Sequence, residues 1–259
     1  MIILLHSSKT MRHPANAGAP RTTPNLLGQA QVLAEQVRSL SLDEMVTMMA
    51  VSSEVARRTA EQMVEWSAEG EQWPAVDCFT GDIYSGLHAG DLSAADRAYA
   101  EKTLYILSGL YGVLRPGDGI RPYRLEMGYK LPRPGFASLY KFWGDEVAKL
   151  IPDGPIVNLA AQEYSRVVTA HIDKTRVVTP KFLSVDPRTG EAKFIVVHAK
   201  IARGMFARWL LTERVRDVSR LRDFAEIGYE FDEAGSTPAQ PLFIAKEFGG
   251  KGLSIRLEK

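Results

Sequence analysis

A single cysteine, Cys78, stands among the 259 residues. It excludes an internal disulfide and a multi-cysteine metal site, and it suits a reducing compartment. Long apolar runs are missing too: no stretch approaches the roughly 18 residues that a membrane-spanning helix needs. The apolar start, Ile2 to Leu5, is too short for a secretory core and has no basic segment ahead of it. The expectation is therefore a cytoplasmic protein with no membrane partner. Neither sign of charge is in excess, since 32 basic residues face 31 acidic ones for a net +1; such a total still hides any local basic cleft. The five histidines (His6, His13, His88, His171, His198) show no metal-ligand spacing. A Gly-x-Ser-x-Gly elbow and a Walker A frame are both missing. No metal and no cofactor are expected on these grounds. Repeats, low-complexity tracts and linker-like stretches are absent as well.

What is present describes an ordinary globular chain, 45% hydrophobic and 24% charged. Ile2–Leu5 is a buried-strand candidate, followed by a Pro/Gly/Asn-rich loop through Pro24. Helical spacing marks 25–39 and 53–67; between them Ser41 with Glu44 three residues on marks a helix start. Trp66 and Trp73 are expected to pack on the core. Residues 74–79 read as a strand entering the turn Thr80-Gly81-Asp82, and 93–107 as a well-capped helix. Beyond that, 139–150 is amphipathic, 155–160 resembles a strand and turn, and 162–164 opens a helix. Strand composition covers 176–182 and 192–198, helix 200–211, and strands 228–231 and 242–245. Strands and helices without strict alternation predict an α/β protein of mixed α+β character, a mixed sheet flanked by helices in one domain spanning 1–259.

Several stretches carry chemistry. Ser8-Lys9-Thr10 directly follows a strand, so backbone N–H groups and an ammonium can converge on one anion there; a solvated surface lysine is the alternative. Phe79 to Gly86 sets Asp82 two residues from Tyr84 between glycines, so that Asp82 is a hydrogen-bond acceptor, metal ligand or general base, or else caps its own backbone in a turn. The stretch LYILSGLYGVLRPGDGIRPYRLEM packs Arg115, Arg121 and Arg124 into a proline-stiffened loop. Its Gly109-Leu110-Tyr111-Gly112 segment has the character of a hairpin between two short helices, which would offer N–H groups to nucleic-acid phosphates. The alternative is a glycine C-cap and loop. Arg124 and Glu126 share a side if that piece is extended, which would pair them and leave Arg115 for a ligand. Asn158 falls at a strand end with Glu163 and Tyr164 on the helix after it. Lys200 and Arg203 lie three apart on one helix face, where cations near a helix start call for a compensating anion.

Taken together, MIILLHSSKTM, FTGDIYSGL, LSGLYGVLRPGDGIRPYRLEMG, LYKFWGD, VNLAAQEYSRVV, AKIARGMFARWL and GYEFDEAGS resemble the YaaA family of bacterial peroxide-stress proteins, in order and spacing, from Met1 to about Ser236. The resemblance implies a single-domain α/β fold with a positively charged cleft and a helix-hairpin-helix element. It also implies DNA binding and a part in limiting iron and oxidative damage under peroxide. The family's polar motif positions fall here on Lys9, Thr10, Gly81, Asp82, Tyr84, Ser108, Gly109, Tyr111, Gly112, Arg115, Pro116, Tyr123, Arg124, Glu126, Trp143, Asn158, Glu163, Tyr164, Lys200, Arg203 and Gly204. There are departures. The family usually has Ser-Pro-Ala-Lys-Thr where this chain has His6-Ser7-Ser8-Lys9-Thr10. Val196-Val197-His198 stand where family members tend to have aromatics, and Ile201 replaces a lysine. The family's aromatic-and-arginine ending is not recognisable in 243–259.

Two expectations follow from different classes. In the first, a monomeric DNA-binding stress protein holds backbone phosphates with Lys9, Thr10, Gly109, Tyr111, Gly112, Arg115, Arg121, Arg124, Lys200 and Arg203, assisted by Lys130, and its affinity falls steeply with salt. In the second, an enzyme acts on a small anionic or nucleotide- or nucleobase-like substrate in a pocket built from Lys9, Asp82, Tyr84, Glu126, Asn158, Glu163, Lys200 and Arg203. There Lys9 serves as nucleophile or anion anchor, Asp82 or Glu126 as base, and Arg203 as phosphate or carboxylate holder. A duplex-binding surface needs cations, whereas carboxylates, a phenol and an amide brought together suit a pocket. Direct iron binding is a third reading, suggested only by the peroxide role that the resemblance implies.

Overall fold

The structure, a computed structural model, describes residues 1–15 and 18–246. In chain order the strands are β1 (Ile2–His6), β2 (Trp73–Pro74), β3 (Leu104–Ser108), β4 (Gly112–Leu114), β5 (Gly119–Ile120), β6 (Ile156–Asn158), β7 (Val177–Val178), β8 (Lys181–Val185), β9 (Ala192–Lys193), β10 (Tyr229–Thr237) and β11 (Gln240–Ala245). The α-helices are α1 (Leu27–Arg38), α2 (Leu42–Met49), α3 (Ser53–Glu65), α4 (Ala75–Cys78), α5 (Asp82–Leu87), α6 (Ala94–Thr103), α7 (Leu139–Trp143), α8 (Glu146–Lys149), α9 (Gln162–Thr169) and α10 (Val196–Thr212).

An unbroken apolar run with no alternation belongs to a strand covered on both faces. β1 is such a strand, fully buried and central in a sheet ordered β4-β3-β1-β6-β7. It runs parallel to β3 and to β6, while β4 closes one edge antiparallel to β3. From β1 the chain moves to β3 on one side and later to β6 on the other. The order therefore reverses beside β1, and the carboxyl ends of β1 and β6 flank a crevice, the place where open α/β sheets take up ligands. A second sheet, β10-β11-β8-β9, packs its aromatic residues on α10: Phe182, Phe206, Phe224 and Phe243 form one cluster with ring centroids 4.6–6.3 Å apart. The mixed α/β class expected from the sequence is the one observed.

Helix starts follow their caps. Ser41 and Glu44 form the reciprocal capping box expected of them, and Ser93 with Asp96 forms another. Trp66 is buried and Trp73 packs partly buried against the core.

Several boundaries differ from the sequence reading, each for a physical reason. The stretch 74–79 is not a strand beyond Pro74. Asp118 and Pro116 carbonyls accept the N–H groups of Ala75 and Val76, which satisfies a first helical turn and forms α4. The helix expected over 93–107 stops at Thr103, because Leu104, Ile106 and Leu107 are claimed by pairing with β1. Residues 139–150 divide into α7 and α8 at Gly144, whose φ of 49° no helix accommodates. Thr179 and Pro180 split 176–182 between two sheets. The strand expected over 192–198 ends at Lys193, and Val196, Val197 and His198 already belong to α10, whose first turn is closed by the Ala199 N–H donating to Ile195 O at 2.9 Å. Of the unrecognised ending at 243–259, residues 247–259 lie outside the described residues.

The largest correction concerns Gly109–Gly112. Strands flank it, not helices: Ser108 pairs with Gly112 across a tight β3–β4 turn, so no helix-hairpin-helix stands there. Apolar β3 with its central Tyr105-Ile106-Leu107 satisfies either period over so few residues, and only the pairing with β1 decides. A Cβ on Gly109 would overlap the Leu125 carbonyl, and Gly112, with φ of 68°, backs onto Trp143.

Candidate functional site

A cavity of about 340 Å³ opens at the crevice beside β1. It is lined by the end of β1 and the loop after it (His6 to Thr10), by Thr80 to Tyr84 entering α5, by Glu126, by Ala161, Glu163 and Tyr164 at the start of α9, and by Lys200 on α10.

Each element is held where it is by identifiable bonds. Ser7 N–H donates to Leu107 O at 2.8 Å and Leu159 N–H donates to Leu4 O at 2.9 Å, so the ends of β1, β3 and β6 are tied together. The loop after β1 folds over itself, with Thr10 N–H donating to Ser8 Oγ at 3.2 Å. Thr80 then donates from both its N–H and its hydroxyl to Thr10 O, each at 3.1 Å. Gly81 has φ of 97°, and a Cβ there would crowd Ser8 Oγ at 3.2 Å, which explains a glycine just before Asp82.

Two lysine–carboxylate pairs face the hollow. Lys9 Nζ lies 2.9 Å from Glu126 Oε2, joining an exposed ammonium to a buried carboxylate. Glu126 also accepts the Tyr129 hydroxyl. Lys200 Nζ and Asp82 Oδ2 stand further apart, at 3.8 Å, both groups about 40% exposed. Asp82 is thus the less engaged of the two carboxylates. One turn along α10 from Lys200, Arg203 is half-buried, and among the described residues it makes no ion pair and no hydrogen bond. Burial alone holds its guanidinium below the ordinary arginine range.

The remaining polar groups hold the walls. Tyr84 is buried, which raises its phenol well above the usual range, and the protonated hydroxyl donates to His6 O at 3.0 Å. His6 stacks on Tyr164 with ring centroids 4.7 Å apart, and its Nδ1 accepts the Ala161 N–H at 3.2 Å. Burial first, then the charges of Arg203 and Lys200, push its imidazole down to about 3, so the ring is neutral. Glu163 Oε1 accepts the Gly128 N–H at 2.9 Å.

The structure therefore brings Lys9, Thr10, Asp82, Tyr84, Glu126, Glu163 and Lys200 to one cavity, with Arg203 beside it. The other candidates from the sequence go elsewhere. Asn158 spans β6 and the segment before β8, accepting from Ala160 N–H at 3.1 Å and donating to Thr179 Oγ1 at 3.3 Å. Gly109, Tyr111 and Gly112 are buried, and the Tyr111 hydroxyl accepts the Trp66 indole N–H at 2.8 Å. Arg115 turns to Asp118 at 3.4 Å, and the Asp118 carboxylate accepts the Arg115 N–H at 2.7 Å, so that arginine closes its own loop. Arg121 lies against Gly70. Arg124 interacts with the Tyr129 hydroxyl, and the expected Arg124–Glu126 pair gives way to Lys9–Glu126. Lys130 is exposed. Sequence reasoning missed His6 as a site residue; its position as the last residue of β1 was the available signal. Among the described residues no group of three or more His, Cys, Asp or Glu side chains is placed to hold a metal ion, and no helix is long and apolar enough to cross a membrane.

Comparison with known proteins agrees with the resemblance. The family model described as peroxide stress protein YaaA matches residues 1–235. A UPF0246 protein of Salinispora tropica is 57% identical over 258 residues, covering 99% of this chain and 98% of that protein. One from Cupriavidus metallidurans is 39% identical over 94% of this chain and 98% of its own length, and one from Ralstonia nicotianae 40% over 95% and 99%. With a match of that extent over strands, pocket loops and α10 alike, the chain belongs to the YaaA family of peroxide stress proteins.

Proposed function

We propose that the chain serves the peroxide-stress role of its family as an enzyme acting on a small anionic, nucleotide- or nucleobase-like molecule held in the cavity at the end of β1. One observation carries the reading: Arg203 is a half-buried cation with no carboxylate to neutralise it among the described residues. Desolvating a guanidinium without a partner is costly, and a ligand anion is the natural counter-ion. Support comes from α9, whose start lines the cavity without a side-chain cap, with the Glu163 carboxylate of that turn directed to the Gly128 N–H. Within this reading Asp82 is the general base, because Glu126 is committed to Lys9 and Tyr129. Lys9 and Lys200 stand at the mouth as anion anchors. The test is calorimetric titration with a panel of nucleoside monophosphates and free nucleobases. We expect at least one to bind with an affinity that Arg203→Ala lowers tenfold or more; a panel that leaves wild type and variant equally silent refutes the reading.

DNA binding is the second reading, resting on the exposed ammonium groups of Lys9 and Lys200 at the mouth. A 340 Å³ hollow is too small for a duplex, so phosphates would lie across the opening. Anisotropy titration at two salt concentrations checks it. Phosphate contacts require affinity that falls steeply with salt and falls further in the Lys9→Ala, Lys200→Ala double variant.

A further inference from the structure

We propose that His6 contacts the ligand directly, donating its Nε2–H to an oxygen of the anion held in this cavity. The inference rests on the small-anion reading of the pocket and adds a residue that neither the family match nor the sequence motifs assign.

His6 is the last residue of β1, and the imidazole lies among the residues that line the cavity. One ring nitrogen is already committed. Nδ1 accepts the Ala161 N–H at 3.2 Å, and a nitrogen that accepts from an N–H group carries no proton of its own. In a neutral ring the proton is then on Nε2. Stacking on Tyr164, with 25° between the planes, fixes the direction in which that N–H points. Among the described residues Nε2 has no hydrogen-bond partner, and it is not among the fully buried orphan atoms. A donor that is oriented, unsatisfied and open to the cavity is what an anionic or carbonyl oxygen requires.

Protonation of the ring is opposed by burial and by two cations, which outweigh the Asp82, Glu126 and Glu163 carboxylates on the same cavity. A second proton would set Nδ1–H against the Ala161 N–H. Arg203 and Lys200, both on α10, add positive charge, while Tyr164 from α9 and Tyr84 from α5 are un-ionised phenols that offer no compensating anion. His6 therefore supplies direction without charge, and Arg203 supplies charge. Together they select a ligand whose anionic group presents an acceptor oxygen deep in the hollow; a purely donating group such as an amine is rejected by both.

Two-dimensional correlation spectra of the 15N-labelled imidazole in wild-type protein test this without any mutation, using inorganic phosphate and adenosine and uridine monophosphates as probes. We expect Nδ1 to resonate as an unprotonated acceptor and Nε2 as an N–H from pH 5 to 8, and Nε2 to shift when a probe binds. His6→Phe should weaken binding roughly tenfold, as expected for loss of one hydrogen bond to a charged group, with His6→Gln recovering part of it. Probe binding that depends on Arg203 but leaves Nε2 unmoved, or a proton found on Nδ1, overturns the His6 assignment and leaves the pocket reading standing. Failure of every probe to bind overturns the pocket reading and the assignment with it.

Discussion

Gly204 of α10 lies so close to Ile83 of α5 that a methyl group on it would overlap the Ile83 carbonyl oxygen. Gly86 stands in the same relation to Ile201 O, so the two helices touch backbone to backbone through reciprocal glycines. That contact sets the spacing of α5 and α10, both of which border the cavity. Asp82 begins α5 and Lys200 sits one turn before Gly204, so the spacing of the helices is what leaves the two side chains 3.8 Å apart.

Adding a methyl at this crossing should therefore be felt twice. Gly204→Ala is expected to destabilise the fold by about 1–3 kcal/mol or more, as overpacking does, and to reduce ligand binding at the neighbouring cavity. Urea denaturation gives the first quantity and calorimetry the second. A variant as stable as wild type contradicts the close packing.

The β3–β4 turn gives a contrasting expectation. Gly109 faces the Leu125 carbonyl inside the core and not solvent. Gly109→Ala should lower stability by roughly 1–3 kcal/mol. In the fraction that still folds, salt-dependent DNA affinity should be unchanged. Selective loss of DNA binding at full stability would instead place this turn on a nucleic-acid surface.

His6 has a pH signature. Its folded value near 3 lies below the unfolded 6.5, so the unfolded chain binds the extra proton between those limits. Stability contributed by the neutral ring is complete above 6.5 and is lost as pH falls toward 3, with a slope of up to about 1.4 kcal/mol per pH unit from this one group. Urea titrations from pH 4.5 to 7.5 should show that slope in wild type and a flatter curve in His6→Gln. Equal slopes contradict a buried neutral ring.

Ser41 tests the helix reading away from the site. Its hydroxyl accepts the Glu44 N–H at 3.2 Å, and Ser41→Ala is expected to cost about 1 kcal/mol without altering ligand affinity. A change in affinity would mean that α2 is coupled to the cavity.

Much of the fold was legible in the sequence, and the reasons are local. β1 could be read because four apolar residues in a row admit few alternatives, and α2 and α6 because their caps are written in the four-residue pattern of a serine with an acid three positions on. Lys9 at a strand end and the Lys200–Arg203 spacing could be picked out from local pattern alone. What escaped depended on distant partners. Nothing within 104–108 says that β1 will pair with it. His6 escaped because its role depends on the Ala161 N–H, 155 residues away.

The pocket reading rests on Arg203, which makes no ion pair among the described residues and stands beside the hollow at the end of β1 as the counter-charge for a small anion. Calorimetric titration of wild type and Arg203→Ala with nucleoside monophosphates, at matched stability and two salt concentrations, tests it most directly. Saturable one-to-one binding to wild type is expected, weakened tenfold or more in the variant. Binding indifferent to Arg203, or no binding by any monophosphate or nucleobase, contradicts it.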